Sequence, residues 1–446
     1  MKTRLIALAL CVAAAPALFA VEGSVLKRDG NAVQFKSVEA ETLSGIEWKD
    51  PQKNPGSRID VWDVDQIRYT AKGMDQFNGL AKKLLSGRGD ALEKDANDYV
   101  TPPKELTDEG DKLRVELTAR YYVARAKLLQ GAYLEAADMF LAYMKKCEDA
   151  VTKGKPGSAN YPQFMVKDVV FASPTGNKIL QAGALHRLYL DALEGLGDAY
   201  ARADDSENAS AKGYDNLVKL TGDLNAKSSK VEYFDWALRA LKAAGDLAEA
   251  AKDGTGITRA RESFEKLAVV ALKRASGKPS RASMEASLKV GFLLVQEKKY
   301  NDAQSRFQGP IREWENGQKA GKSGVTSNWL TPDGAYLASG SYVGMGMVRA
   351  AQAKDTETYS AALVQFATAL AIFSTAPEIR ALGLLGAAEC SGQLAKLSKD
   401  AGAASRHAEN AERYLFELRT TLGQTKPATD KKVAEITAMV DKYKQK

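Results

Sequence analysis

Two rhythms of apolar residues divide the chain. From Val21 to about Thr70 they alternate with polar ones. Ser24-Val25-Leu26-Lys27 runs into the turn-forming Arg28-Asp29-Gly30-Asn31, and Val33 and Phe35 then resume the alternation. Ile46 and Trp48 predict a further strand, a turn follows through Pro51 and Pro55, and Ile59 to Trp62 and Ile67 to Tyr69 extend the pattern. Residues 21–70 are therefore expected to form a small, strongly bent β module of the SH3-like or Sm-like barrel kind. So small a module buries a marginal core and should lean on the rest of the chain. Residues 71–110 read as a linker with a short helix from Leu80 to Leu85, broken at Thr101-Pro102-Pro103. From Asp111 onward the alternation stops and a period of 3.6 takes over, which predicts a run of helices. The first pair spans Leu113 to Gln130 and Tyr133 to Cys147, turning at Gly131.

One spacing recurs along the helical part. Tyr133, Ala136 and Phe140 follow Tyr-x2-Ala-x3-Phe, as do Tyr300, Ala303 and Phe307, and Tyr359, Ala362 and Phe366. With 17 Tyr and 13 Phe in 446 residues, composition predicts well under one such match, so the repetition is structural. Between them, Leu193-Glu194-Gly195-Leu196-Gly197-Asp198-Ala199-Tyr200 resembles the first helix of a tetratricopeptide repeat, with Leu193 where that family carries Trp. The resemblance implies stacked helical hairpins. A small residue (Ala124, Gly197, Gly291) would let paired helices approach, and Ala136, Ala303 and Ala362 with their aromatics would pack on the next hairpin. The fold class expected is mainly α: a TPR-like α-solenoid of about six hairpins behind the β module.

The spacing is not a plain 34-residue period. Tyr133, Ala136, Phe140, Gly154, Lys155 and Gly157 are each matched 167 positions later, and Lys252-Asp253, Arg259, Glu262 and Glu265 align with Lys399-Asp400, Arg406, Glu409 and Glu412. This reads as two copies of a three-hairpin unit, 111–275 and 283–422. Each copy is interrupted by a long Gly/Lys-rich loop, 151–180 and 317–337, bearing Tyr161, Phe164 and Phe171 or Trp329 and Tyr336. In the tail, Val433, Ile436, Met439 and Val440 make one apolar stripe, which predicts a capping helix within 425–446.

The N-terminus adds an address. Lys2 and Arg4, an apolar run from Leu5 to Ala15, and small residues through Ala17 and Ala20 make a secretory signal peptide over 1–20, cleaved after Ala20 or Ala17. Cys11 lies inside the apolar run, where lipidation does not fit. No later stretch is apolar enough to span a bilayer, so the mature chain is expected in the periplasm or outside the cell without a transmembrane segment. Beyond the leader only Cys147 and Cys390 remain, too few and too far apart for a disulfide framework. The formal charge of +7 is interspersed with acids, a poor match to a nucleic-acid surface.

Candidate chemistry is sparse. His186 and His407 each stand alone in a helical pattern, and no HExxH, CxxC, nucleophile elbow or complete phosphate loop occurs. Gly344-Met345-Gly346 and Gly383 to Gly386 follow no strand and suit close helix packing. Arg88-Gly89-Asp90 is a three-residue match of the size chance supplies. No catalytic, cofactor-binding or metal-binding residues are therefore assigned, and no cofactor is expected. An enzyme would be revealed by a pocket that gathers perturbed titratable groups. The expectation is a non-catalytic exported scaffold with a protein or peptide partner, self-association included and nucleic acid excluded. On that reading Tyr121, Arg125, Leu128, Phe292, Val295 and Gln296 flank the small-residue positions of first helices and face the partner, with Tyr161 and Trp329 on the loops. Carbohydrate or polymer binding, with Trp314, Trp329 and Tyr161 stacking on sugar rings, and a structural role in a surface assembly are the alternatives.

Overall fold

The computed structural model describes residues 22–443 except 51–52, 154–165, 229–232, 252–253, 323–328 and 373–375. Residues 1–20, where a signal peptide is expected, and Tyr161 and Phe164 of the first long loop lie outside the described residues. The chain divides into two compact units, Met1–Ala240 and Leu241–Lys446.

In the first unit the alternating segment becomes two antiparallel sheets. β1 (Gly23–Lys27) lies between β2 (Ala32–Phe35) and β6 (Val64–Tyr69); β4 (Gly45–Asp50) lies between β3 (Ser37–Thr42) and β5 (Lys53–Ile59). The predicted hairpin turn is present, with Gly30 at φ +88. Val25, Phe35, Ile46, Trp48 and Ile67 are buried. The module leans on the helices through the tip between β3 and β4. Leu43 N–H donates to Leu185 O (2.7 Å), Tyr233 Oη to Leu43 O (2.7 Å), and Ser44 Oγ to Gly183 O (2.8 Å). Ser44 Oγ also accepts from Val166 N–H (2.8 Å).

The stretch after the sheets carries more than one short helix: α1 (Asp75–Asn78), α2 (Leu80–Leu85) and the twelve-residue α3 (Gly89–Val100). Leu92, Ala96 and Tyr99 bury one face of α3, the i, i+4, i+7 spacing of an amphipathic helix. Arg-Gly-Asp proves structural. Gly89 opens α3 where a Cβ would crowd Gln130 and Ala126, and Asp90 accepts from Gln130 Nε2 (3.0 Å).

Then come paired helices. α4 (Glu109–Leu129), capped by Asp108, turns at Gly131 into α5 (Tyr133–Lys153). The loop expected over 151–180 contains a small hairpin where described, β7 (Phe171–Ala172) with β8 (Lys178–Ile179). α6 (Tyr189–Arg202) pairs with α7 (Ser206–Asn208), a π-helical turn at Ala209–Tyr214 and α8 (Asp215–Lys227). α9 (Phe234–Ala250) carries the boundary between the units.

The second unit continues with α10 (Gly254–Arg274), α11 (Arg281–Gln296), α12 (Tyr300–Lys322), α13 (Pro332–Gln352), α14 (Thr356–Ala371), α15 (Pro377–Leu397), α16 (Ala401–Leu422) and α17 (Lys431–Val440). Where it is described, the loop expected over 317–337 is largely helix, since α12 runs to Lys322 and α13 starts at Pro332. Thr331 caps that start and Pro332 presets the first turn. α17 lays Val433, Ile436 and Val440 on α15 and α16, burying its stripe.

The recurring motif explains how the hairpins stack. The Phe307 ring is seated between Gly291 of α11 and Gly344 of α13; a Cβ at either would overlap it. Phe366 sits in the same way between Gly346 of α13 and Gly386 of α15. Phe140 rests on Gly195 of α6, and Tyr214, thrown inward by the π turn, on Gly197. Ala136, Ala303 and Ala362 are fully buried. Phe140, Tyr214, Phe307 and Phe366 are thus knobs and the glycines of first helices are their holes, which is why the motif recurs.

Candidate functional site

On α4, Ala124 is fully buried, and Tyr121 and Leu128 lie three residues before and four after it on the same face. They share its burial. Tyr121 is 5% exposed and packs its ring against Tyr122, Phe140 and Tyr143, while Leu128 is also 5% exposed. Both are core residues, not a surface for a partner. Arg125, one position round the helix, is half-buried within electrostatic reach of Asp191, Glu194 and Asp198 of α6. Those carboxylates are themselves engaged. Asp191 accepts from Trp236 Nε1 (2.9 Å), Glu194 accepts from Arg239 Nε (2.7 Å) and Nη2 (2.8 Å), and Asp198 accepts from Tyr214 Oη (2.8 Å). Burial pushes the Asp191 and Asp198 carboxyls up from their ordinary value.

In the second unit, Phe292 packs edge-on against Phe307 and Val295 is half-buried. Gln296 alone of that trio is exposed. It lines a recess of about 600 Å³ with Asp246 and Glu249 of α9, Ile257 of α10, Lys289 of α11 and Lys426 of the turn before α17. Lys289 Nζ holds Glu249 at 2.9 Å, and Asp246 pairs with Lys242 at 2.6 Å. Trp314 and Trp329 are both half-buried.

A second cavity, of about 520 Å³, opens in the first unit where β3, the start of α4, the end of α5 and the chain before α6 converge. Its carboxylates are Glu39, Glu41, Asp108 and Glu109; its basic groups are Arg114 and His186; Leu113, Leu117, Ala150 and Val151 supply apolar wall. Glu41 is buried, with Arg187 Nε 2.5 Å and His186 Nε2 3.2 Å from Oε1. Burial alone would raise its pKa, but the charges of His186 and Arg187 together outweigh that and hold it down at about 2. Arg114 Nη2 bonds Val38 O (2.9 Å) and Asp111 Oδ1 (2.6 Å). Tyr143 Oη meets His186 Nδ1 at 2.8 Å. Below lies Glu148, fully buried, accepting from Tyr189 Oη (2.6 Å), Asn177 Nδ2 (2.7 Å) and Thr175 Oγ1.

His186 is not in a helix as its pattern suggested. It lies in the turn before α6, and that irregular backbone lets one ring reach both α5 and β3. This cavity gathers the perturbed groups that would signal an enzyme, yet their directions oppose nucleophilic chemistry. Burial pushes the Cys147 thiol far up, away from the thiolate that attacks. Glu41 is tied to Arg187 rather than poised as a base. Among the described residues, no three His, Cys, Asp or Glu side chains converge to hold a metal ion.

Sequence reasoning missed Glu41, Arg114, Glu148 and Arg187. The signal available was the His186-Arg187 pair between apolar Leu185 and Leu188, where ionisable groups in an apolar run ask for buried partners.

Among the described residues no helix is long and apolar enough to cross a membrane. No protein-family model and no curated protein sequence matches the chain. Among solved structures, the chain is similar to NprR in complex with its cognate peptide NprX, at 11% identity and a TM-score of 0.33, over 82% of this chain and 83% of that one. It is similar also to a tetratricopeptide repeat protein from Parabacteroides merdae, at 11% identity and a TM-score of 0.33, over 82% of this chain and 98% of that one.

Proposed function

We infer that the chain is an exported, non-catalytic scaffold of the bacterial cell envelope that binds a protein or peptide segment on its helical hairpins. The observation that carries this is the recess of about 600 Å³ in the second unit. The first helices α9 and α11 bring Asp246, Glu249, Lys289 and Gln296 there, side chains of both signs that the core does not need. A groove of that volume lies within the usual range for a ligand site, roughly 300–1,000 Å³. Mixed charge suits the backbone and polar side chains of a peptide better than a single ion. The order of basic, apolar and small residues at the N-terminus supports export.

The test is a peptide-display library panned against the full chain, with affinities of enriched peptides measured on the parent protein and on Gln296→Trp and Lys289→Glu. Enriched peptides that lose about tenfold or more on both variants support the reading. If no sequence is enriched, or if the enriched peptides ignore both changes, the recess is not the binding surface. Export is checked separately by N-terminal sequencing of the protein from the envelope fraction, expected to begin at Val21 or Leu18.

A further inference from the structure

One basic side chain of the first unit is left without a partner. Arg125 is half-buried on α4, its Nε is buried and makes no hydrogen bond, and no described carboxylate lies close enough to form an ion pair with its guanidinium. Four positions earlier on the same face, the Tyr121 ring belongs to the core, yet its hydroxyl stands beside Arg125 and takes no hydrogen bond from any described residue. A guanidinium and a phenol so placed are donors that lack an acceptor.

Across from them, Asp191, Glu194 and Asp198 recur at i, i+3 and i+7 on α6, so one helix face turns all three toward Arg125. Glu194 spends both its oxygens on Arg239. Asp191 and Asp198 each spend only Oδ1, on Trp236 Nε1 and Tyr214 Oη. Their Oδ2 atoms accept no hydrogen bond from a described residue. Unused donors on α4 therefore face unused acceptors on α6 across a gap that neither side chain closes.

Charge selects what fits that gap. A carboxylate would gain Arg125 but meet three carboxylates. An ammonium would gain Asp191 and Asp198 but meet Arg125. A neutral carboxamide escapes both penalties, because its oxygen accepts from the guanidinium while its N–H groups donate to the carboxylates. Burial pushes the Asp191 and Asp198 carboxyls up from their ordinary value, so added N–H donors there relieve charges that are under-compensated. Because Arg125 Nε lies below the surface, the group must reach inward, as a side chain does and a main chain lying on the surface does not.

We propose that Arg125 on α4 and Asp191 and Asp198 on α6 form a clamp for the side-chain carboxamide of a glutamine or asparagine presented by a partner peptide. Its oxygen takes the Arg125 N–H groups, and its nitrogen donates to the Oδ2 atoms of the two aspartates. The clamp rests on the reading of the chain as a peptide binder and shares no residue with the recess of the second unit.

The experiment titrates the full chain, isotope-labelled at arginine and tryptophan nitrogen, with four peptides acetyl-Ala-Ala-X-Ala-Ala-amide in which X is Gln, Glu, Lys or Ala. The Arg125 Nε–H and Trp236 Nε1–H signals are followed by magnetic resonance. The glutamine peptide should move both signals, with the other three about tenfold or more weaker. Asp198→Asn keeps an acceptor for Tyr214 Oη but turns the free oxygen into a donor. It should weaken the glutamine peptide about tenfold and narrow its lead over the glutamate peptide. Arg125→Lys keeps the charge, loses the planar fork, and should weaken the glutamine peptide by a similar factor. Hydrogen exchange of α4 and α6 checks that both variants keep the fold. Unmoved signals with the glutamine peptide, equal binding of any of the other three, or unchanged selectivity in Asp198→Asn overturns the proposal. The recess is read separately by Gln296→Trp on peptides enriched from the display library, so failure of either site is seen apart from the other.

Discussion

Gly195→Ala tests the packing rule on which the helical part is built. In an exposed helix interior this exchange helps, because alanine forms helix more readily than glycine by about 1 kcal/mol. At Gly195 the new methyl carbon would lie 2.9 and 3.0 Å from two ring carbons of Phe140 and nearer still to a third. Carbon atoms rest at about 3.5–4.0 Å, so ring or helix must give. Phe140 is fully buried, and a close-packed interior gives a ring little room to retreat. Overpacking of this kind costs roughly 1–3 kcal/mol, which cancels or exceeds the propensity gain of about 1 kcal/mol and leaves a net loss of up to about 2 kcal/mol. Gly222 on α8 is the internal control, since a Cβ there meets nothing within 4 Å. Gly222→Ala should stabilise by about 0.5–1 kcal/mol through propensity alone. A protein of two units need not unfold in one step. The readout is therefore native-state hydrogen exchange on peptides from α6 and α8, which both lie in the first unit. Gly195→Ala should speed exchange in α6, and Gly222→Ala should slow it in α8. Combining Gly195→Ala with Phe140→Leu should recover about 1 kcal/mol relative to the sum of the single changes. If Gly195→Ala stabilises as Gly222→Ala does, or if the pair is additive, the knob-and-hole reading is wrong.

Three further outcomes follow from buried groups. Glu148→Ala strands the donors of Tyr189, Asn177 and Thr175, and should cost about 2–4 kcal/mol, read as early exchange of the 171–179 hairpin; Glu148→Gln should lose less. Glu41 is held at about 2 in the folded chain against an ordinary 4.5, so the folded state binds fewer protons between those values. Its contribution, roughly 3 kcal/mol, is complete above about pH 4.5 and is lost as pH falls toward 2. The check is a carboxyl carbon titration that finds Glu41 ionised to about pH 2; a midpoint near 4.5 would refute the pairing. Cys147 and Cys390 are buried, and burial pushes the Cys390 thiol up to about 12 and the Cys147 thiol higher. In the native protein neither should react with iodoacetamide at neutral pH, and mass mapping should find both alkylated only after unfolding.

Particular residues show where sequence reasoning stops. Ala124 is fully buried, and Tyr121 and Leu128 lie with it on one helix face. The error was to treat that face as open, for Tyr121 and Leu128 share the burial of Ala124. Periodicity tells which residues lie together on a helix. It does not tell whether the neighbour is another helix or a partner, because both reward the same apolar stripe. Gln296, a polar residue next to the stripe, is exposed, because the core has no use for its amide.

The amino-acid sequence by itself determined what local chemistry decides: the change from strand to helix, the Asp29-Gly30 turn, the capped helix starts, and the aromatic–glycine motif that pairs helices. Those features depend on residues a few positions apart, so their energetics are written in the order of the chain. Tertiary structure alone decided that Glu41, Arg187, His186 and Tyr143 share one buried cluster, and that Leu43 and Ser44 of a β turn dock more than a hundred residues away. A buried charge needs its counter-charge within a few ångströms in space and imposes no spacing along the chain. Only the folded backbone could say which residues meet.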